Sequence, residues 1–233
     1  MIEFKNLQFS YGQQPLIHDL SLRLDAGHVY GLLGKNGVGK TTLLKMIAGL
    51  VFPKKGQLTT LQHTPQRRQP SLLSQLYFVA DDAHLPNVSA RTFARTYGGF
   101  YPLFDRAQFL NYLRQFEVEA DQKLGKVSYG QRKKAIISFA LATNVPLLLM
   151  DEPTNGLDIP SKSTFRQLVA GMATPERCFI ISTHQVRDLD SLIDSVLMLH
   201  DGKITYQEDL NALAETGEQP NLEILFQKVI QNH

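Results

Sequence analysis

The chain has 233 residues, 43% of them hydrophobic and 20% charged, with a formal net charge of +2 and a single cysteine. That is enough apolar material for one large core with an insertion, too little positive charge to make nucleic acid the main ligand, and too few thiols for a disulfide framework or a zinc site. Cys178 lies in an apolar stretch and reads as a core residue in a reducing cytoplasm, and the longest apolar runs are of strand length, so no segment spans a membrane.

Met1 leads directly into IEFKNLQFSY, so no leader is expected, and residues 1–24 read as short alternating strands. An apolar stretch at Val29, Tyr30, Leu32 and Leu33 then runs into GKNGVGKTT, followed by Leu43, Leu44, Met46 and Ile47 in a helix-like pattern. Gly34, Lys35, Asn36, Gly37, Val38, Gly39, Lys40, Thr41 and Thr42 fit G-x-x-x-x-G-K-[ST] in the strand–turn–helix setting that this phosphate loop requires. The glycines let successive backbone N–H groups converge on phosphate oxygens, and the helix that follows adds its free donors and positive end. Lys40 is placed to reach the β- and γ-phosphates and the Thr41 hydroxyl to ligate Mg²⁺. The chain therefore reads as binding a nucleoside triphosphate.

Gly49 is placed to end this helix, and the residues from Pro53 to Gly56 form a turn before a strand at residues 76–80. Residues 82–144 take on a helical pattern. Ser89 caps one helix that stops at Gly98-Gly99, and Asp105 with Gln108 opens another that carries Phe109, Leu110, Leu113 and Phe116. Ser128 and Gln131 form a further capping box, whose free N–H groups with the Gly130 backbone make a second anion site. The basic residues around it, Lys123, Lys126, Arg132, Lys133 and Lys134, read as a solvated face that also attracts phosphates.

Residues 145–150, VPLLLM, form a continuous apolar run, as expected of a parallel strand buried on both faces. Asp151 and Glu152 follow at its carboxyl end, where such sheets bind ligands. An isolated Asp-Glu pair is usually a solvated turn. After a core strand in a chain with a phosphate loop, Asp151 reads as holding Mg²⁺ through water and Glu152 as the general base. Further on, Asp201-Gly202 is a hairpin signal, and Leu222, Leu225, Phe226, Val229 and Ile230 mark a terminal amphipathic helix.

Taken together, these motifs make the chain resemble the nucleotide-binding subunit of an ABC transporter, from its first residues to about Gln207. The stretch VSYGQ, with Ser128, Tyr129, Gly130 and Gln131, is similar to the family's LSGGQ signature. Tyr11 sits where the family places an adenine-stacking aromatic, and Asn155-Gly156-Leu157-Asp158 resembles the loop exchanged between partners, with Asp158 at the dimer contact. Ser182-Thr183-His184 resembles the switch segment, with His184 at the γ-phosphate. The resemblance implies a P-loop α/β fold with an ABC-type sheet core, an antiparallel N-terminal β part and an inserted α-helical subdomain. It implies a core lobe at residues 1–81 and 145–207, a helical lobe at 82–144 that faces the membrane partner, and a tail at 208–233. ATP and Mg²⁺ are the implied cofactors. The implied partners are a second copy or a homologous ATPase subunit, paired head to tail, and separate transmembrane permease subunits at the inner face of the membrane. GFYPLFD, from residue 99 to 105, looks similar to bacterial exporter-type subunits.

The chain departs from the family's pattern at Asp81, where glutamine is usual, at Tyr129, where the signature has a glycine, and at Lys35, where proline is usual. Asp81 can ligate Mg²⁺ but brings negative charge toward the γ-phosphate. Tyr129 either hinders close backbone approach or points to solvent. Both departures lead us to expect a slow isolated ATPase. The alternatives are a soluble ABC-type ATPase acting on nucleic acid or ribosomes and a nucleotide kinase. The short stretch without heptads between Lys40 and Ser128 counts against the first; the signature, Asp151-Glu152 and His184 count against the second.

Overall fold

The computed structural model describes residues 1–189, 191–215 and 222–231, without the side chains of 214 and 228–231. Two sheets organise it. The smaller is antiparallel, with β1 (Ile2–Tyr11) between β2 (Gln14–Leu24) and β4 (Lys55–Thr60). The larger runs β5 (Leu76–Val79), β6 (Leu147–Asp151), β7 (Cys178–Thr183), β3 (Val29–Leu33), β8 (Ser195–His200) and β9 (Lys203–Asp209). Its first five strands are parallel, and β9 returns antiparallel to β8.

The parallel strands bury both faces, as their unbroken apolar runs require. Leu32, Leu147, Leu149, Ile180 and Leu197 face a core shared with the small sheet and with α1 (Lys40–Ile47). Leu33, Leu148, Met150, Ile181 and Met198 face the other way. There they share a second core with α3 (Ala90–Tyr97), α4 (Arg106–Gln115), α5 (Tyr129–Ala142) and α6 (Ile159–Met172). Phe139 of α5 is central to it, with Phe93, Phe104 and Tyr77 ring centroids at 4.9, 5.1 and 5.5 Å. The other helices are a short α2 (Pro70–Leu73), α7 (Leu210–Glu215) and α8 (Leu222–Gln231).

Local chemistry fixes most boundaries. Ser89, Asp105, Ser128 and Asp158 each cap a helix by accepting a backbone N–H on the side-chain oxygen. Asp201 and Gly202 both take positive φ, 43° and 69°, which the tight β8–β9 hairpin needs. Three boundaries differ from the sequence reading. The strand expected from Val145 starts at Leu147, because Pro146 has no N–H to give a ladder. The stretch 82–144 is helical only in α3, α4 and α5, apart from short 3-10 turns. Finally, β9 continues to Asp209, two positions into the expected tail. In α8, Leu222 is buried and Leu225 and Phe226 pack on the core, while the side chains of Val229 and Ile230 lie outside the described residues.

Candidate functional site

The carboxyl ends of β3, β6 and β7 bring together three segments that are far apart in sequence. After β3 the chain turns through Gly37 (φ +83°) and Gly39 (φ +109°), the latter being the N-cap of α1. L side chains rarely adopt either angle, so the loop needs glycine there. The Lys40 side chain is buried in the resulting cradle, its Nζ donating to the Gly34 carbonyl at 2.7 Å and the Lys35 carbonyl at 3.1 Å. Glu152 Oε1 lies 3.7 Å from that ammonium. Burial holds the Lys40 pKa below its ordinary value, against the opposing pull of Glu152 and Asp151. Asn36 is exposed, and Val38 packs against the core beside the small sheet.

Thr41 Oγ1 donates to Asp151 Oδ2 at 2.7 Å, and Ser182 Oγ donates to Asp151 Oδ1 at 2.5 Å. Asp151 is thereby fixed beside the first turn of α1. The adjacent Glu152 has φ +44°, a costly angle for a residue with a side chain, held by its N–H bond to the Ser182 carbonyl at 3.0 Å. Thr183 Oγ1 donates to Glu152 Oε2 at 3.1 Å, and His184 Nδ1 stands 2.8 Å from Oε1. Tyr11 is 55% exposed; its hydroxyl lies 3.3 Å from Thr42 Oγ1 at the mouth of the same loop. The structure therefore links Tyr11, Lys40, Thr41, Thr42, Asp151, Glu152 and His184 into one neighbourhood.

The segment 128–131 belongs to a different neighbourhood. Ser128 accepts the Gln131 N–H at 3.3 Å, and Tyr129 turns back toward its own chain. The Tyr129 hydroxyl donates to the Asp81 carbonyl at 2.9 Å and to Asp81 Oδ1 at 3.1 Å. Burial and the Asp81 carboxylate push the Tyr129 phenol up to about 12, so the hydroxyl keeps its proton. Lys133 Nζ also reaches Asp81 Oδ1, at 2.8 Å. The Asp81 charge, expected to stand open, is thus paired with a buried ammonium. The Tyr129 side chain is tied back to Asp81 while remaining 39% exposed.

The solvated basic face also needs correction, since Lys133 and Lys134 are both buried, Lys134 Nζ lying 3.3 Å from Asp158 Oδ2. Asp158 caps α6 through the Ser161 N–H at 2.8 Å, and bonds from Ser161 hold its carboxyl below the usual range. Ser182 and Thr183, which the sequence offers only as the lead-in to His184, are the hydroxyls that hold Asp151 and Glu152. Their signal was two hydroxyls directly after the apolar run of β7.

The residues fit a magnesium nucleotide: a hydroxyl and a carboxylate converge as hard oxygen donors, beside backbone and ammonium donors for phosphates. Among the described residues no three His, Cys, Asp or Glu side chains form a metal cage, so phosphate oxygens and water would complete the ion's shell.

Residues 17–155 match the ABC transporter family. The chain is 31% identical over 218 residues to the ABC transporter ATP-binding protein NatA of Bacillus subtilis, covering 90% of this chain and 88% of that protein. It is 27% identical to the Nod factor export ATP-binding protein I of Burkholderia lata, covering 92% of this chain and 73% of the other. Its fold matches a solved ATP-binding subunit of an ABC transporter with a TM-score of 0.87, at 23% identity and 99% of both chains.

Proposed function

The chain belongs to the ABC transporter family as an ATP-binding subunit with ATPase activity, and from that premise we propose that it powers export across a membrane by ATP-driven closure of a head-to-tail dimer. The observation that carries this reading is the joining of Thr41 to Asp151 and of Glu152 to His184 at the rim of the Lys40 cradle. Lys40 and the loop N–H groups bind the phosphates, and Tyr11 stacks on the adenine. Thr41 and Asp151 would hold Mg²⁺, which would supply positive charge at the phosphoryl oxygens. Glu152 takes the proton of the attacking water, and His184 contacts the γ-phosphate and orients Glu152.

Ser128, Gly130 and Gln131 meet the nucleotide of a second subunit, and Asp158 lies at the exchanged loop. Among the described residues, Ser128 and Tyr129 hydrogen-bond to α5 and Asp81 rather than to residues 34–42. No helix among the described residues is long and apolar enough to cross a membrane. In this reading separate transmembrane subunits supply the path, with this chain on the inner face and residues 82–144 toward them. A relative named for Nod factor export favours this reading over an ATPase acting on nucleic acid or ribosomes.

The test is nucleotide binding by Lys40→Ala. The wild-type chain should bind and hydrolyse Mg·ATP, while the variant should lose most of its ATP affinity. Equal affinity would remove residues 34–42 from phosphate binding.

A further inference from the structure

We propose that Asp81, Lys133 and Tyr129 form a clasp that fixes the first turn of α5 to the end of β5 and so positions residues 128–131 for the second subunit's nucleotide. The inference rests on the trans reading of that segment given above. The two departures from the family pattern, Asp81 and Tyr129, touch each other. Asp81 Oδ1 accepts from Lys133 Nζ at 2.8 Å and from the Tyr129 hydroxyl at 3.1 Å. The Asp81 carbonyl accepts from the same two groups, at 3.0 and 2.9 Å. Asp81, two positions after β5, thus holds two side chains that stand one helical turn apart on α5, which places both on the same helix face.

Three further observations make the arrangement interdependent. The Lys133 side chain is only 2% exposed, so its ammonium needs a partner; its contacts are Asp81 and Tyr129, with the Tyr129 ring centroid at 5.7 Å. Asp82 and Arg132 are the other charges near the Tyr129 hydroxyl. On its far side, the turn is seated without slack. A Cβ at Gly156 would fall 2.5 Å from Tyr129 Cε1, and one at Gly130 would fall 2.7 Å from the Gly156 carbonyl. Lys134 continues this seat through Asp158. The turn is therefore held between Asp81 and the 155–158 loop. Tyrosine at 129 supplies the reach to Asp81, and an acid at 81 supplies the charge for Lys133. Each residue accounts for the other.

Asp81, Lys133 and Tyr129 are positioning residues, and removing the clasp should harm closure while sparing the chain's own phosphate loop. The experiment compares Asp81→Asn, Lys133→Met and their double variant with wild type, and adds Asp81→Glu and Tyr129→Phe. We expect KM for ATP within about twofold of wild type, with kcat and ATP-dependent dimer down about tenfold, equivalent to about 1.4 kcal/mol. The double variant should be no worse than the poorer single, since both remove one interaction. Asp81→Glu should regain part of the loss, and Tyr129→Phe should fall between wild type and Asp81→Asn. Amide hydrogen exchange should rise at 128–134 and at 81–85 in the single variants. Unchanged kcat and dimerisation, additive losses, or exchange that rises evenly over the chain would each overturn the clasp. The exchange readout does not depend on turnover: a wild type that neither hydrolyses ATP nor dimerises would count against the proposed function, while the local exchange result would still decide the clasp.

Discussion

Glu152 and His184 are joined at 2.8 Å, with the imidazole Nδ1 on carboxylate oxygen Oε1. A carboxylate only accepts, so Nδ1 carries the proton of that bond, while Nε2 lies 3.4 Å from the Gln185 side-chain nitrogen. Thr183 Oγ1 holds the other oxygen at 3.1 Å, so the carboxylate of Glu152 is fixed at both ends. His184→Ala should therefore free the base and remove a phosphate contact. Loss of one well-placed transition-state donor costs about 10²–10³-fold. We expect kcat to fall by that order with little change in KM, measured in steady state; a KM effect alone would make His184 a binding residue.

Tyr11 packs edge-on against Phe9, with centroids 4.8 Å apart, while the residue stays 55% exposed. Base–aromatic stacking is worth about 1–3 kcal/mol. Tyr11→Ala should weaken ATP binding roughly 5- to 150-fold by calorimetry. Tyr11→Phe should cost little, since it loses only the 3.3 Å contact to Thr42. If alanine binds ATP as tightly as tyrosine, the ring serves packing alone.

Much of the fold was legible because it is set locally. The run at 145–150, the Asp201-Gly202 pair and the cap residues Ser89, Asp105 and Ser128 each act through neighbours a few positions away. What escaped depends on distant partners. In β1, Phe4 and Leu7 are three positions apart yet both buried, because Asn6 at φ +47° makes a bulge opposite Asp19. Lys133 and Lys134 look solvated in a basic triplet until Asp81 and Asp158 are folded against them. Asp81 and Tyr129 read as two separate departures because they lie far apart in sequence.

Phe139 is fully enclosed by aromatic rings in the core beneath α3 and α4. Phe139→Ala should cost about 3–5 kcal/mol, lowering the melting temperature by roughly 6–20 °C for a chain of this size. A loss below about 1 kcal/mol in denaturant titration would mean that this core repacks freely.

Cys178 lies on the central strand β7 with no exposed surface, and burial pushes its thiol up to about 12. The thiolate is the reactive form. At pH 8 the native chain should resist a disulfide reagent for as long as it stays folded, then react with one equivalent in denaturant. Immediate labelling of the native chain would contradict the sheet order around β7.

Glu152→Gln addresses the assignment of the site most directly, because it removes the base while keeping the shape of the side chain. Losing a general base costs about 10²–10⁴-fold. Single-turnover hydrolysis of Mg·ATP should fall by that factor, ATP affinity should hold, and the variant should accumulate as an ATP-bound dimer on size exclusion. Hydrolysis at the wild-type rate would contradict the role of Glu152, and the absence of an ATP-dependent dimer would contradict the head-to-tail closure.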